Sequence, residues 1–276
     1  MNPLKGLFVT IGEISCESSS KGVLLLKQLI INGDDFGVTQ GVTTGIAFGH
    51  RFGVISSTCV MTNMPSRFLA ASLSQARPEL GVGVHLNLTC FRPLLPVSEV
   101  PSLVTENGWF RFDPRLSERS SISHVENELR AQIAEAYHLG FSVSHLDLHM
   151  GTTRLDILQL VVKLAVEHSL PIRRPRPGYL PGLDDWLASS PVRMPDYTEH
   201  FPEGPMTVDS LIAKLRSLPD GVTEIVTHPG YVSPEHQFVD DFWHRREDEL
   251  SVLLNADVKA ALEEENIELM SFHGLR

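Results

Sequence analysis

Four short stretches hold the residues that could do chemistry: "INGDDFG" with Asp34 and Asp35, "GVHLNLT" with His85 and Asn87, "SHLDLH" with His145, Asp147 and His149, and "VTHPG" with His228. Adjacent carboxylates repel unless a cation or a shared proton relieves them. In "HLDLH", alternation along a strand sends His145, Asp147 and His149 to one face and Leu146 and Leu148 to the other. Three ionisable groups on one face are not ordinary apolar core and require partners, a metal or water. Each motif alone has a plain structural reading, since a strand histidine is commonly a satisfied buried residue and one Asp of a pair commonly caps a helix. Together they say more. One carboxylate and two imidazoles suit Zn²⁺, Mn²⁺, Co²⁺, Fe²⁺ or Mg²⁺ and leave positions for water and substrate. A second carboxylate beside the liganding one is placed to take a proton from water, and His228 to supply one to a leaving group. Such a set points to a metal-assisted hydrolase.

The elements around these motifs must bring them together. "QLIIN", "GVISSTCVMTN", "LGVGVHLNLT", "FSVSHLDLH", "GVTEIVTHPG" and "IELMSF" read as strands, rich in Ile, Val and Thr or alternating in polarity. Between them, "TQGVTTGIAFGHRFG", "PSRFLAASLSQARP", "TTRLDILQLVVKLAVEH" and "TVDSLIAKLRSLP" have helical period, and "DELSVLLNADVKAALEEEN" reads as a broken helical pair. The clearest helix follows Ser123, which with Glu126 fits a capping box, and its stripe is Ile122, Val125, Leu129, Ile133 and Ala136 or Tyr137. For the helix after "HLDLH" the stripe is Leu155, Leu158, Val162 and Ala165. "LPIRRPRPGYLPG" reads as a short strand running into a rigid loop. Strand and helix alternating to the C-terminus predict an α/β fold: a (β/α) barrel-like, irregular TIM-type barrel with about seven strands. In such folds catalytic groups gather at the C-terminal strand ends, and Asp34, Asp35, Asn63, His85, Asn87, His145, Asp147, His149 and His228 all fall late in strands or just after them. Residues 90–120 break the rhythm with prolines, an Asn107-Gly108 turn and exposed-looking aromatics, as expected of an excursion covering a substrate site. The domain expectation is an extension over 1–26 and one catalytic domain over 27–276.

Composition removes several classes. The chain has 276 residues, is 42% hydrophobic and carries a formal net charge of -11. That suffices for a sizeable core and argues against gripping nucleic acid or an anionic membrane through the overall field. Cys16, Cys59 and Cys90 are too far apart for a C-x-x-C pair, which disfavours a disulfide scaffold or a thiolate zinc site. No stretch approaches the ~18 apolar residues of a membrane span. A cytoplasmic location is the expectation. No G-x-G-x-x-G follows the first strand and no phosphate loop is present, so a nucleotide cofactor is not indicated.

With "LIINGDDFGVTQGVTTGI", "GVGVHLNLT..RPLLP", "SHLDLHMG" and "TEIVTHPG" in this order, residues 28 to 273 resemble the YdjC-like carbohydrate deacetylases, the family of chitooligosaccharide deacetylase. The resemblance implies a (β/α) barrel-like fold and one divalent ion, Mg²⁺ or Zn²⁺. It implies removal of an N-acetyl group from an N-acetylglucosamine-containing sugar and a homodimer. By similarity Asp35, His85 and His149 are the metal ligands, Asp34 the general base, and His228 the histidine assisting the departing amine or the oxyanion. Asp147 is expected to orient His228 or His149 from behind, or else to bond backbone or an arginine, and His145 lies in the same outer shell. Candidate sugar contacts are Asn63, Arg92, Trp109, Phe110, Phe112, Arg176 and Tyr179. The "RRPRP" run reads as a local positive patch, for an acidic sugar or as a solvated face. Relatives commonly follow the histidine motif with further histidines, whereas this chain has Met150, Gly151 and Thr152, a change in the ion's surroundings. The competing readings are a metal-dependent amidohydrolase acting on a non-sugar amide, a phosphoesterase, which favours two metals, and a non-catalytic sugar-binding barrel.

Overall fold

A computed structural model describes residues 27–112, 120–175, 182–200, 206–232 and 243–275. The expected extension over 1–26 lies outside the described residues, as do Arg176 and Tyr179. Seven strands form one parallel sheet: β1 (Lys27–Phe36), β2 (Ser57–Val60), β3 (Gly81–Leu86), β4 (Val143–Leu148), β5 (Tyr197–His200), β6 (Gly221–Thr227) and β7 (Ile267–Leu269). The order is β4-β3-β2-β1-β6-β5, with β7 paired to β1. The β/α alternation, the seven strands and the irregular barrel-like form are as expected, and the sheet is an open half-barrel rather than a closed ring. β1 is its axis. Along one edge β6 pairs from Lys27 to Gly33, while the other edge is shared, with β7 beside Lys27–Leu29 and β2 beside Asn32–Phe36.

Helices α1 (Gln40–Phe52), α2 (Arg67–Gln75), α3 (Ile122–His138), α4 (Leu155–His168), α5 (Leu183–Ala188), α6 (Val208–Arg216), α7 (Arg246–Leu253) and α8 (Ala256–Glu264) cover the sheet with their apolar sides. The strands of a parallel sheet are buried on both faces, and Leu29, Ile31, Val82, Val84, Leu146 and Ile225 meet Val42, Ile46, Leu129, Ile133, Val161 and Leu211 in one core. Helix starts differ in their chemistry. Thr39 accepts from Val42 N at the head of α1, and Thr207 makes a reciprocal box with Ser210 at α6.

Three sequence expectations shift. The capping box of Ser123 and Glu126 does not form: α3 begins earlier, with Ser121 as its N-cap, and the Glu126 carboxylate instead meets Arg130 and Lys163. The first residues of two stripes, Ile122 on α3 and Leu155 on α4, are exposed, and of Ala136 and Tyr137 it is Ala136 that is buried. β5 and α5 were not evident in the sequence, being only four and six residues long. The Asn107-Gly108 turn is present: Gly108 has φ of 74°, and Thr105 and Trp109 are linked across it. The described excursion packs inward through Val100, Leu103, Val104 and Phe110, which join the main core.

Candidate metal centre

β1 delivers the twin acids by an irregularity in its pairing. Between Gly33 and Phe36 the chain advances three residues while its neighbour β2 advances two, from Thr58 to Val60. The extra residue is a bulge, which lets successive side chains approach one centre. Asp35 takes the left-handed backbone, with φ of 71°, and Gly37 follows at 93°. A non-glycine residue held there is uncommon and costs energy, a signature of sites where placement matters more than stability.

Asp35, His85 and His149 converge. Asp35 Oδ1 lies 3.4 Å from His85 Nε2 and 3.4 Å from His149 Nδ1, and those two nitrogens are 3.1 Å apart. Ligands about 2.0–2.1 Å from a common ion stand roughly 3.0–3.4 Å from one another in octahedral or tetrahedral arrays, so the three atoms are spaced as ligands would be. Asp35 Oδ1 is buried and has no hydrogen-bond donor of its own, which leaves it in need of a cation. These residues could hold a divalent ion.

Each of these three candidate ligands is held from behind. Asp147 Oδ1 is 2.7 Å from His85 Nδ1, which leaves Nε2 facing the centre. Asp147 therefore meets His85 rather than His228 or His149, because β3 and β4 are paired with His85 opposite Asp147, and its other oxygen lies 3.0 Å from Arg173, the arginine contact expected as the alternative. His149 Nε2 faces Cys90 Sγ at 3.4 Å. Arg246, 1% exposed at the start of α7, donates to Asp35 Oδ2 at 2.5 Å.

Asp34 is bound differently. Arg173 grips it with two bonds, Nη1 to Oδ2 at 2.9 Å and Nη2 to Oδ1 at 2.6 Å, while Asn32 Nδ2 donates to Oδ1 at 2.7 Å. The same guanidinium stands 3.0 Å from Asp147 Oδ2 and donates to Glu224 Oε1 at 2.8 Å. His228, at the end of β6, has Nε2 3.9 Å from Asp34 Oδ2 and is 41% exposed along its side chain. A second grouping of Asp34, Cys59, His85 and Asp147 is also compact, but Arg173 and Asn32 already bond Asp34, Arg173 pairs with Asp147, and burial, then Asp147 and Asp34, push the Cys59 thiol up.

Electrostatics favour a cation at this point. Burial works against ionising Asp34 and Asp35, yet Arg173 beside the first and Arg246 beside the second hold both well below the usual carboxylate range. Burial likewise lowers the imidazoles, but Asp147 raises His85 well above its ordinary value, and Asp35 with Cys90 raises His149 to about 9. Three aspartates thus draw positive charge to the cluster: beyond the two arginines, protons on His85 and His149 balance them in the metal-free protein, and a divalent ion would take the place of those protons.

The structure thus brings together Asp34, Asp35, His85, Asp147 and His149, with His228 at the rim. His145 is elsewhere. Its ring stacks on Phe272 at 3.7 Å and lies against Gly83, where any Cβ would strike the imidazole, so it plugs the lower barrel instead of serving the ion. Burial lowers its pKa to about 3, and it is neutral. Asn63 is spent on the backbone carbonyls of Cys90 and Arg92, and Arg92 packs its guanidinium 5.1 Å from the Trp109 ring, so these three sugar-contact candidates do not line the cavity. Phe112 does, with Trp186 and His200. Phe110 is buried under the excursion. Sequence reasoning missed Arg173, Glu224 and Arg246. Arg173 sits one residue beyond the Leu146–Ile172 bridge, so the strand-end rule applied to "LPIRR" reaches it; the positive-patch reading does not, since this arginine faces inward. Nothing in "HRREDEL" distinguishes Arg246 from its charged neighbours.

An ion cage on a parallel half-barrel, with a separately held ionised carboxylate beside it, makes this chain a metal-dependent hydrolase. Residues 28–264 match the model of the YdjC-like proteins, and the chain belongs to that family of carbohydrate deacetylases. It is 35% identical to the carbohydrate deacetylase of Geobacillus stearothermophilus over 251 residues, covering 88% of this chain and 96% of the relative. It is 34% identical to that of Brevibacillus brevis, covering 90% and 99%. Among solved structures, a protein of Enterococcus faecalis V583, described as a candidate cellobiose-phosphate cleavage protein, superposes with a TM-score of 0.84 at 31% identity over 91% of this chain and 99% of that one. The Xyl-CE4 domain of a multidomain xylanase from the hindgut metagenome of Trinervitermes trinervoides shares the fold alone, with a TM-score of 0.51 at 10% identity over 91% and 89%.

Proposed function

We infer that the chain removes the acetyl group from an N-acetylglucosamine-containing, chitooligosaccharide-like sugar, with Asp35, His85 and His149 holding one divalent ion. The observation carrying this reading is the mutual 3.1–3.4 Å spacing of those three ligand atoms beside a carboxylate that is not part of the cage. Two nitrogens and one oxygen suit Zn²⁺ better than Mg²⁺, which prefers an all-oxygen shell. Such an ion supplies Lewis acidity toward the amide carbonyl and lowers the pKa of water.

The protein's own residues do the rest. Arg173 keeps Asp34 ionised and fixes the direction of its lone pairs, so Asp34 is the base that accepts a proton from the attacking water. Its closeness to His228 lets the two groups act on opposite ends of one proton transfer, and His228 gives a proton to the amine nitrogen as the C–N bond breaks. Acetate and the amino sugar leave. Trp186 and Phe112, which line the cavity, offer flat apolar faces for a pyranose ring.

Acetate release from diacetylchitobiose after chelation and restoration of single divalent ions tests this. Activity should return only with metal and be absent in Asp34→Asn and His149→Ala. Folded protein that binds no divalent ion stoichiometrically would refute the mechanism, and metal-loaded protein that leaves every N-acetyl sugar intact would refute the substrate. A non-sugar amide remains the second substrate class for the same centre, because the cage and base address an amide and not the ring that bears it.

A further inference from the structure

The cavity in front of the cage is uneven. It measures about 500 Å³ and touches Asp34, Asp35, His85 and Asp147 on the interior side of β4, but also Leu146, Leu148, Leu158, Val161, Val162 and Ile172. Leu146 and Leu148 face away from Asp147 on the same strand, so a single void bounded by both sets must pass over the C-terminal end of β4. His149 and Met150 line it at that crossing. Beyond them the walls belong to α4 and to the segment bridged to β4; Thr152 and Arg174 contribute polar groups, and the rest is aliphatic and buried, with Leu158 8%, Val161 4% and Ile172 3% exposed. Trp186 of α5 closes this recess.

Its aliphatic part, formed by Leu146, Leu148, Leu158, Val161, Val162 and Ile172, offers no partner to sugar hydroxyls, each of which needs a hydrogen bond when taken from water. A buried aliphatic recess instead accepts an apolar chain. We propose that the recess beyond His149 is an acyl subsite, and that the substrate class is an amino sugar bearing an N-acyl chain longer than acetyl. The proposal rests on the deacylation reading above and extends it, acetyl being the shortest acyl group served. Position favours the acyl chain over an apolar group on the sugar. The recess begins at a ligand of the ion that holds the scissile carbonyl, and the carbonyl's own substituent is the first part of the substrate to reach it. In the reaction, water adds its oxygen to the carbonyl carbon and the C–N bond breaks. The amine leaves with the added proton, and a longer-chain carboxylate is released.

Binding of straight-chain carboxylates to the metal-loaded protein, measured by calorimetry from acetate through butyrate and hexanoate to octanoate, tests the recess without turnover. Affinity should rise roughly fourfold per methylene until the recess is full. Val162→Trp, or Val161→Phe should the first variant fold poorly, should abolish that rise and leave acetate binding unchanged. Equal affinity from acetate to octanoate in the wild type overturns the proposal. In turnover, N-hexanoylglucosamine should be cleaved with kcat/KM at least equal to that of N-acetylglucosamine, and a tenfold or greater drop at N-butyryl overturns it. A gain produced instead by an alkyl chain on the glycosidic oxygen of N-acetylglucosamine, and removed by Val162→Trp, would reassign the recess and overturn the acyl assignment. Rising carboxylate affinity with no N-acyl sugar cleaved would sink the deacetylase reading and support the recess as a site for acyl chains.

Discussion

Two buried polar clusters start two residues apart at the end of β3, and they are built to opposite rules. From His85 one runs into the metal centre. From Asn87 the other runs beneath the excursion: Asn87 binds Cys90 through both ends of its amide and donates to Asn63, while Gln132 of α3 bonds both the N–H and the carbonyl of Asn87. Glu128 receives Leu94 N, Leu95 N and Gln132 Nε2. Every side-chain polar atom of Asn63, Asn87, Glu128 and Gln132 that is deeply buried has a partner, whereas around the ion cage Asp35 Oδ1 and Glu224 Oε2 have no donor. A saturated network stabilises and can recruit nothing further. Unpaired acceptors in a dry site cost stability and are retained where a ligand completes them.

Substitutions that separate the two clusters sharpen this contrast. The largest effect belongs to Asp34→Asn, which keeps the shape but removes the proposed base: kcat should fall about 10²–10⁴-fold, with a lower thermal midpoint because Arg173 loses a buried carboxylate partner. A variant with near-normal turnover would mean the proton goes elsewhere. Next, Asp147→Asn leaves His85 without its carboxylate partner, and metal affinity should weaken roughly 10–100-fold by chelator competition. Unchanged affinity would place Asp147 with the purely structural groups. In the other cluster Glu128→Ala strips two backbone N–H groups of their acceptor. Unfolding should become easier by about 1–3 kcal/mol in denaturant titration, while metal affinity holds; loss of metal would show that the clusters are one unit.

The smallest effect is on pH dependence. Burial depresses the His145 pKa to about 3 in the folded chain, against an unfolded value near 6.5. Between those values the unfolded state binds more protons, so this residue's contribution is present above about pH 6.5 and lost as pH falls toward 3. It adds at most about 1.4 kcal/mol per pH unit to the slope. In His145→Gln the slope should be shallower across that window, and an identical slope would show that the imidazole is not neutral in the fold.

Much of this was legible because period and strand-end position are local signals. Asp34, Asp35, His85 and His149 each mark the end of an apolar run, so a parallel sheet gathers them with no knowledge of the turns between. His145 misled for the same reason: alternation gives the face but not the depth, and two residues down the strand the shared face meets Phe272 and Gly83 instead of the ion. Asn63 looked functional by strand-end position, but its partners are backbone carbonyls about thirty residues away, which no residue pattern encodes. Arg246 reaches Asp35 across a separation of 211 residues. Long-range partners of this kind depend on tertiary packing, and a charged helix start looks alike whether its arginine points in or out.

The division of β1's edge between β2 and β7 bears on how the chain assembles. Gln28 near the start of the axis strand bonds Glu268 across 240 residues, and β6 also comes from the distant half of the chain. Contacts this remote carry a large entropic cost of loop closure before they return any energy, and they slow folding. The β1-β2-β3 side, tied by short crossovers, is therefore expected to gain exchange protection first. Asp35 and His85 belong to that early side and His149 follows β4 beside it, whereas His228 and Arg246 arrive with the late half, so the cage is expected to gather before the groups that flank it.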